Sequence, residues 1–241
     1  MESSARNAWI GTALAGSWLA AREKARRDEE DVLTRSVKST GRAYKEDGVS
    51  GELTPTAKKI VDIHKQATGT TGQRIPVFQE KGTAGGAYDY KHDSFLLGDN
   101  TSNYVLAHEL GHREMEKNPG IMQTVQKKFY QPISPLIRNP ALAALGYFSP
   151  SARRAVAFGL AGTYLTEAGT LATEHTANKN AIKYLDQAGI SVDKSVPRQQ
   201  LTSYVTNIAK EALLPLAIGR LARVVQNPHA IDYVKATTKT K

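Results

Sequence analysis

His108-Glu109-Leu110-Gly111-His112, five residues near the middle of a 241-residue chain, decide how the rest is read. On an α-helix, positions i and i+4 stack one turn apart on one face, so both imidazoles can reach a single Zn2+. Glu109 follows the first histidine and lies beside the metal position rather than on it. There a carboxylate can take a proton from a metal-activated water. The plainer reading of the same five residues is two surface histidines on a helix.

The flanking sequence predicts that helix. Asn100, Thr101 or Ser102 is placed to cap it, and Pro119-Gly120 stops it, so it should run to about Lys117. Upstream, Ile75 to Phe78 reads as a short strand, and Ala84 to Tyr90 with Ser94 to Leu97 reads as a hairpin around Lys91-His92-Asp93. Gly85-Gly86 would let another backbone come close, as suits an exposed sheet edge. Thr54-Pro55 starts an earlier helix, with a Thr cap and Pro in the first turn. That helix carries Ile60, Val61 and His64 and ends at Gly69 to Gly72. His64 is expected to be packed or solvated rather than a ligand.

Two histidines leave a metal short of ligands, and the chain has 0 cysteines, so the remainder must come from His, Asp or Glu. Downstream, Glu174 sits among helix formers, with Asn178 one turn later on the same face. A carboxylate there would complete a His, His, Glu tetrahedron with water as the fourth ligand. Glu167, seven residues earlier on nearly the same face, competes for that role. His175 points about 100° away from Glu174 and is not a natural co-ligand. Gly189 should close this helix near Ala188.

The outer segments read as helical arms. Ala8 to Ala21 is an apolar run of 14 residues, too short to span a bilayer as it stands. Only Arg6 offsets Glu2 ahead of it, and Gly and Ser are frequent in it, a poor match to a secretory signal. Arg22 to Asp31 is densely charged with both signs, like a solvated helix face. Gly41 to Gly51 reads as a polar linker. From Gln123 to Leu185 the chain should be mainly helical, broken at Pro132, Pro135, Pro140 and Pro150. Ala141 to Phe148 is apolar, and so is Ala155 to Ala172, 18 residues interrupted by Glu167. Burial is preferred over membrane contact for the second run. Ser195 to Lys241 is a further helical region, with a break at Pro215 and a frayed tail from Lys235. The expected organisation is a helical arm and linker over 1–50, a core domain over 51–193, and a basic helical region over 194–241.

Composition fits this layout. Apolar residues make up 40% and charged residues 23%, and the mean hydropathy of -0.41 argues against a chain built mostly of membrane spans. The net charge is +9. Residues 1–50 carry 9 basic and 8 acidic groups, 51–120 carry 8 and 9, and 121–241 carry 15 and 6, so the excess lies in the C-terminal half. A basic half suggests an anionic partner. Nucleic acid has little support, since no long Lys/Arg run exists and aromatic residues do not interleave with the basic ones.

The HELGH stretch, followed by Glu174-x-x-Ala177-Asn178-x-x-Ala181-x-x-Tyr184-Leu185-x-x-Ala188-Gly189, resembles the gluzincin zinc peptidases that include the CAAX-prenyl proteases and the membrane heat-shock proteases. The likeness covers about residues 75–190 and is specific at the two motifs. It implies an α+β, mainly helical fold: a zincin-like core with a small antiparallel sheet, the HExxH helix and a distal Glu-bearing helix. It implies Zn2+ held by His108, His112 and Glu174, which selects Glu174 over Glu167, and Glu109 as the catalytic residue. It places substrate in extended form along the Gly85 to Tyr90 strand. Two departures stand out. Asn178 occupies the position of a family Asp that orients a metal-binding His, and it can accept a hydrogen bond but carries no charge. Family members often have full membrane spans, where this chain has short segments or ones interrupted by Arg153, Arg154 and Glu167. Surface association with a membrane is therefore expected, rather than insertion.

The expected function is zinc-dependent endopeptidase cleavage of a protein or peptide substrate. A donor for the developing oxyanion is also expected, with His175 and Tyr164 as guesses. The rival is a structural or interaction component of a larger assembly, such as a membrane complex or a phage-like particle, with a peptidase-like and inactive core. Zinc amidase chemistry on cell-wall material is a third reading that differs only in substrate.

Overall fold

The computed structural model of the protein describes residues 2–45, 52–83, 85–117, 124 and 150–208, the side chains of 2–5, 7 and 150–167 excepted. Helix α1 (Glu2–Thr40) is followed by α2 (Pro55–Ala67), strands β1 (Val77–Glu80), β2 (Gly86–Asp89) and β3 (Ser94–Gly98), α3 (Asn103–Lys117) and α4 (Pro150–Ala188). Residues 195–208 are again helical. The architecture is mainly helical with one small sheet. The expected features at Ala141 to Phe148, Pro132, Pro135, Pro140, Pro215 and the Lys235 tail, and most of the basic C-terminal excess, lie outside the described residues.

The chain divides into two units. One comprises Arg27–Thr124 and Thr170–Ser203, the other Met1–Arg26, Val125–Gly169 and Tyr204–Lys241. Every residue of the site described below belongs to the first.

Local chemistry sets the element ends. Thr54 caps α2 by accepting from the Ala57 N–H at 3.1 Å, with Pro55 in the first helical position. Of the three candidate caps for α3, Ser102 is the one used: its Oγ accepts from the Val105 N–H at 3.1 Å. Gly189, with φ of 81°, ends α4 as expected. Helix α1 ends at Gly41, and its last turn is tied to the start of α3. Asn103 Nδ2 donates to Thr40 O at 2.7 Å, and the Tyr104 N–H donates to Thr40 Oγ1 at 3.1 Å.

Residues 41–45, the described start of the expected polar linker, are not free of the rest of the chain. Arg42 bridges Ser102, Tyr44 bridges Leu53, and Ala43 and Tyr44 are buried. Both bridges are backbone pairings, the first to a residue distant in sequence, and composition does not register either.

The sheet corrects the expectation of an antiparallel one. Strands β2 and β3 form the expected antiparallel hairpin, with Tyr88 opposite Phe95, but β1 pairs with β3 in parallel, with Val77 opposite Phe95. The order is β1-β3-β2, so β3 is central and β2 lies at an edge. A parallel partner must arrive by a crossover rather than a tight turn, and the 77–80 and 94–98 segments are joined through β2. Strand β3 buries Phe95 and Leu97 and exposes Leu96. Those two side chains join Ile60 of α2, Leu106 and Leu110 of α3, and Tyr184 and Leu185 of α4 in one hydrophobic core.

Among the described residues, no helix is long and apolar enough to cross a membrane.

Candidate metal centre

Helix α3 presents His108 and His112 from consecutive turns, and their rings stand edge to face at 88° with centroids 4.7 Å apart. Helix α4 crosses behind them at closest approach. A Cβ built on Gly111 would lie 2.7 Å from Ala177 O and 3.0 Å from Ala177 Cα, so only glycine lets the two backbones meet here. That approach brings Glu174, one turn before Asn178, over the two imidazoles.

His108, His112 and Glu174 each offer one ligand atom, and all three atoms lie within 4.8 Å of one another. Glu174 Oε2 is 3.1 Å from His108 Nε2 and 3.5 Å from His112 Nε2, and the two Nε2 atoms are 3.1 Å apart. A tetrahedral ion bound at about 2.1 Å would separate its ligand atoms by about 3.4 Å. The residues therefore fit a metal ion. A second observation agrees: Glu174 Oε2 is buried and has no partner in hydrogen-bonding geometry, despite the two nearby nitrogens. A buried carboxylate oxygen left in that state is costly unless a cation meets it.

Electrostatics hold the acid charged. Burial raises the Glu174 pKa, but the polar contacts of His108 and His112 outweigh it and bring it down to about 2. Burial works against protonated His112, yet the Glu174 carboxylate and the charge of Glu109 win, so its pKa is raised. The pocket is thus an anionic cradle suited to a divalent cation.

The outward atom of His108 is fixed from behind. His108 Nδ1 is 2.8 Å from Asn178 Oδ1, and Asn178 Nδ2 donates to Pro197 O at 3.4 Å. With the carbonyl end of Asn178 facing the ring, Nδ1 carries the hydrogen and Nε2 keeps its lone pair for the metal. Asn178 thus meets the acceptor role expected for it.

Glu109 sits between the two histidines in sequence, is 7% exposed, and makes no hydrogen bond or ion pair among the described residues. It lies against the sheet edge. A Cβ on Gly86 of β2 would fall 3.2 Å from Glu109 Cγ and 3.0 Å from Val105 Cγ1. Leu97 Cδ2 of β3 would lie nearer still, at 2.8 Å, so the close approach at Gly86 is made by side chains of β3 and α3.

Other sequence candidates separate from the cluster. His175 is exposed on α4 and takes no part, because it lies one residue from Glu174 and so on another face. The side chains of Tyr164 and Glu167 lie outside the described residues. His64 is buried and hydrogen-bonded in the core, where Tyr184 OH is 3.2 Å from Nδ1 and Arg113 Nη1 is 3.1 Å from Nε2. Sequence reasoning missed three contributors. Gly111 gives the close crossing. Tyr104 places its hydroxyl 2.7 Å from Asn178 Oδ1, and Gln200 places Nε2 3.3 Å from His108 Nε2. Tyr104 was findable, since it precedes His108 by one turn. Gln200 has no spacing relation to the motif.

No family model, curated protein or solved structure matches the chain.

Proposed function

We propose that the protein is a zinc-dependent endopeptidase with a zincin-like core. The observation that carries this reading is the meeting of His108, His112 and Glu174 at one point, with Glu109, whose carboxylate has no partner among the described residues, on the same helix and against an edge strand. The ligand set of two imidazoles and one carboxylate suits zinc and leaves a fourth position, which water or substrate must reach for turnover. When bound, the ion supplies a Lewis acid that polarises the scissile carbonyl and eases deprotonation of water near neutral pH.

The chain's own groups do the rest. Glu109 takes a proton from the attacking water and passes it to the leaving amine. Asn178 and Tyr104 keep the His108 ring in one orientation. Strand β2 is paired on one side by β3 and has no strand on its other side among the described residues. An extended peptide can pair there as an added strand, with its backbone drawn past Glu109.

The test is metal analysis of the purified full chain together with cleavage of an unfolded protein such as casein. One zinc per chain is expected, with turnover lost on chelation and restored by zinc. Glu109→Gln should keep the metal and lower turnover about 10²–10⁴-fold. Normal cleavage by Glu109→Gln, or a metal-free active protein, would overturn the reading. Full zinc occupancy without cleavage would favour the assembly role, and digestion of cell-wall material instead of casein would favour amidase chemistry.

A further inference from the structure

Gln200 lies in the 195–208 helix and is half-buried above the metal cluster. Its amide makes two contacts: Oε1 is 2.7 Å from the Tyr104 hydroxyl, and Nε2 is 3.3 Å from His108 Nε2. The same Tyr104 hydroxyl is 2.7 Å from Asn178 Oδ1. A hydroxyl carries one hydrogen, so it cannot donate to two carbonyl oxygens. One of the two short oxygen–oxygen contacts would then lack a hydrogen.

Asn178 is not free to turn over. Its Nδ2 donates to Pro197 O at 3.4 Å, and its Oδ1 accepts from His108 Nδ1 at 2.8 Å, the state that leaves Nε2 of that ring free to bind metal. With a cation on His108 Nε2, Tyr104 therefore donates to Asn178, and the end of Gln200 that meets Tyr104 is its NH2. The two ends of a glutamine amide have nearly the same shape, and the hydrogen-bond network decides between them. Turned over, Gln200 donates to the Tyr104 oxygen, and its carbonyl oxygen takes the place 3.3 Å from His108 Nε2. That separation is close to the ligand–ligand edge of about 3.4 Å in a tetrahedral zinc site.

From this proton count we infer that Gln200 supplies its carbonyl oxygen as a fourth protein ligand, so that the metal site is closed by the 195–208 helix. A site with four protein ligands holds its ion but offers no position for water. On the peptidase reading, on which this consequence rests, Gln200 must give way before water can enter, so wild-type turnover is slowed rather than abolished.

The experiment uses the full chain loaded with Co2+, as wild type and as Gln200→Ala. Visible absorption reports the coordination, acetohydroxamate probes for an open position, and chelator competition gives the affinity. The wild type should show a tetrahedral spectrum that acetohydroxamate leaves unchanged. Gln200→Ala should bind Co2+ about 10–100-fold more weakly, and its spectrum should shift on adding acetohydroxamate. Equal affinity and equal acetohydroxamate response in the two proteins would overturn the assignment. Gln200→Glu keeps an oxygen at the same reach, so it should hold Co2+ at least as tightly as the wild type and stay closed to acetohydroxamate. Weaker binding there would also overturn it, even if Gln200→Ala fails to fold. At saturating zinc, casein cleavage should rise in Gln200→Ala. An opened spectrum with no cleavage in either protein would leave Gln200 as a ligand and remove the peptidase reading instead.

Discussion

Asn178 shows how a single uncharged side chain can set the working state of a metal-facing histidine. Its carbonyl oxygen accepts from His108 Nδ1, and Tyr104 approaches the same oxygen at 2.7 Å. Burial and the neighbouring Glu174 charge push the Tyr104 pKa upward, so its hydroxyl keeps its proton and can donate. Replacing Asn178 with Leu removes the acceptor without adding bulk. Asn178→Leu should lower zinc affinity about 10–100-fold in a chelator competition. Unchanged affinity would mean that packing alone orients the His108 ring. The HExxH spacing and Glu174 were legible as residues because each lies one helical turn from its partner. Gln200 was not, because its place depends on a helix whose path no local pattern specifies.

At the scale of elements, the crossing of α3 and α4 is set by Gly111 against Ala177. The atoms that a Cβ would strike at 2.7 and 3.0 Å are backbone atoms of Ala177, which cannot rotate away. Gly111→Ala should therefore destabilise by about 1–3 kcal/mol, read by denaturant unfolding. It should also weaken zinc binding, because separating the helices draws Glu174 off the two imidazoles. Wild-type stability together with wild-type affinity would show that this contact does not fix the crossing. The sheet is a matching case. Turn residues made the β2–β3 hairpin readable, whereas the parallel β1–β3 pairing involves strands that are not consecutive in sequence, and no turn signal announces it.

At the scale of the whole molecule, one buried arginine joins parts of the chain that the sequence keeps apart. Arg113 is fully buried on the helix that carries the two histidines. It donates to both oxygens of Asp93 in the hairpin turn, at 2.7 and 2.9 Å, and reaches Gln73 Oε1 at 3.3 Å. It can only donate, so His64 Nε2 must accept from it. The hydrogen of His64 then sits on Nδ1 and points to the Tyr184 oxygen, whose own hydroxyl donates to Glu114. His64 is thus neutral by construction. Burial, with Arg113 and nearby lysines acting against a positive charge, lowers its pKa to about 4. The unfolded chain takes up a proton near pH 6.5, well before the folded one does. The stability from this group is therefore complete above about pH 6.5 and is lost as pH falls through about 4, up to ~3 kcal/mol. The difference in unfolding free energy between wild type and His64→Gln, followed from pH 7 to pH 4, should shrink on acidification. A constant difference would show that His64 is not held neutral.

The sequence by itself determined the parts governed by short-range geometry: the capped HExxH helix, the Glu174–Asn178 face, the hairpin and the glycine that ends α4. Each follows from a fixed helical or two-residue period, or from a backbone angle that one residue type favours. Tertiary structure alone decided that β1 lies parallel to β3, that Ala43 and Tyr44 are tied into the core, and that Gln200 and Arg113 converge on the histidine helix. Those outcomes depend on how closely distant segments can approach and on which buried polar atoms must then find partners. Such constraints act between residues far apart in the chain, and they leave no period in it.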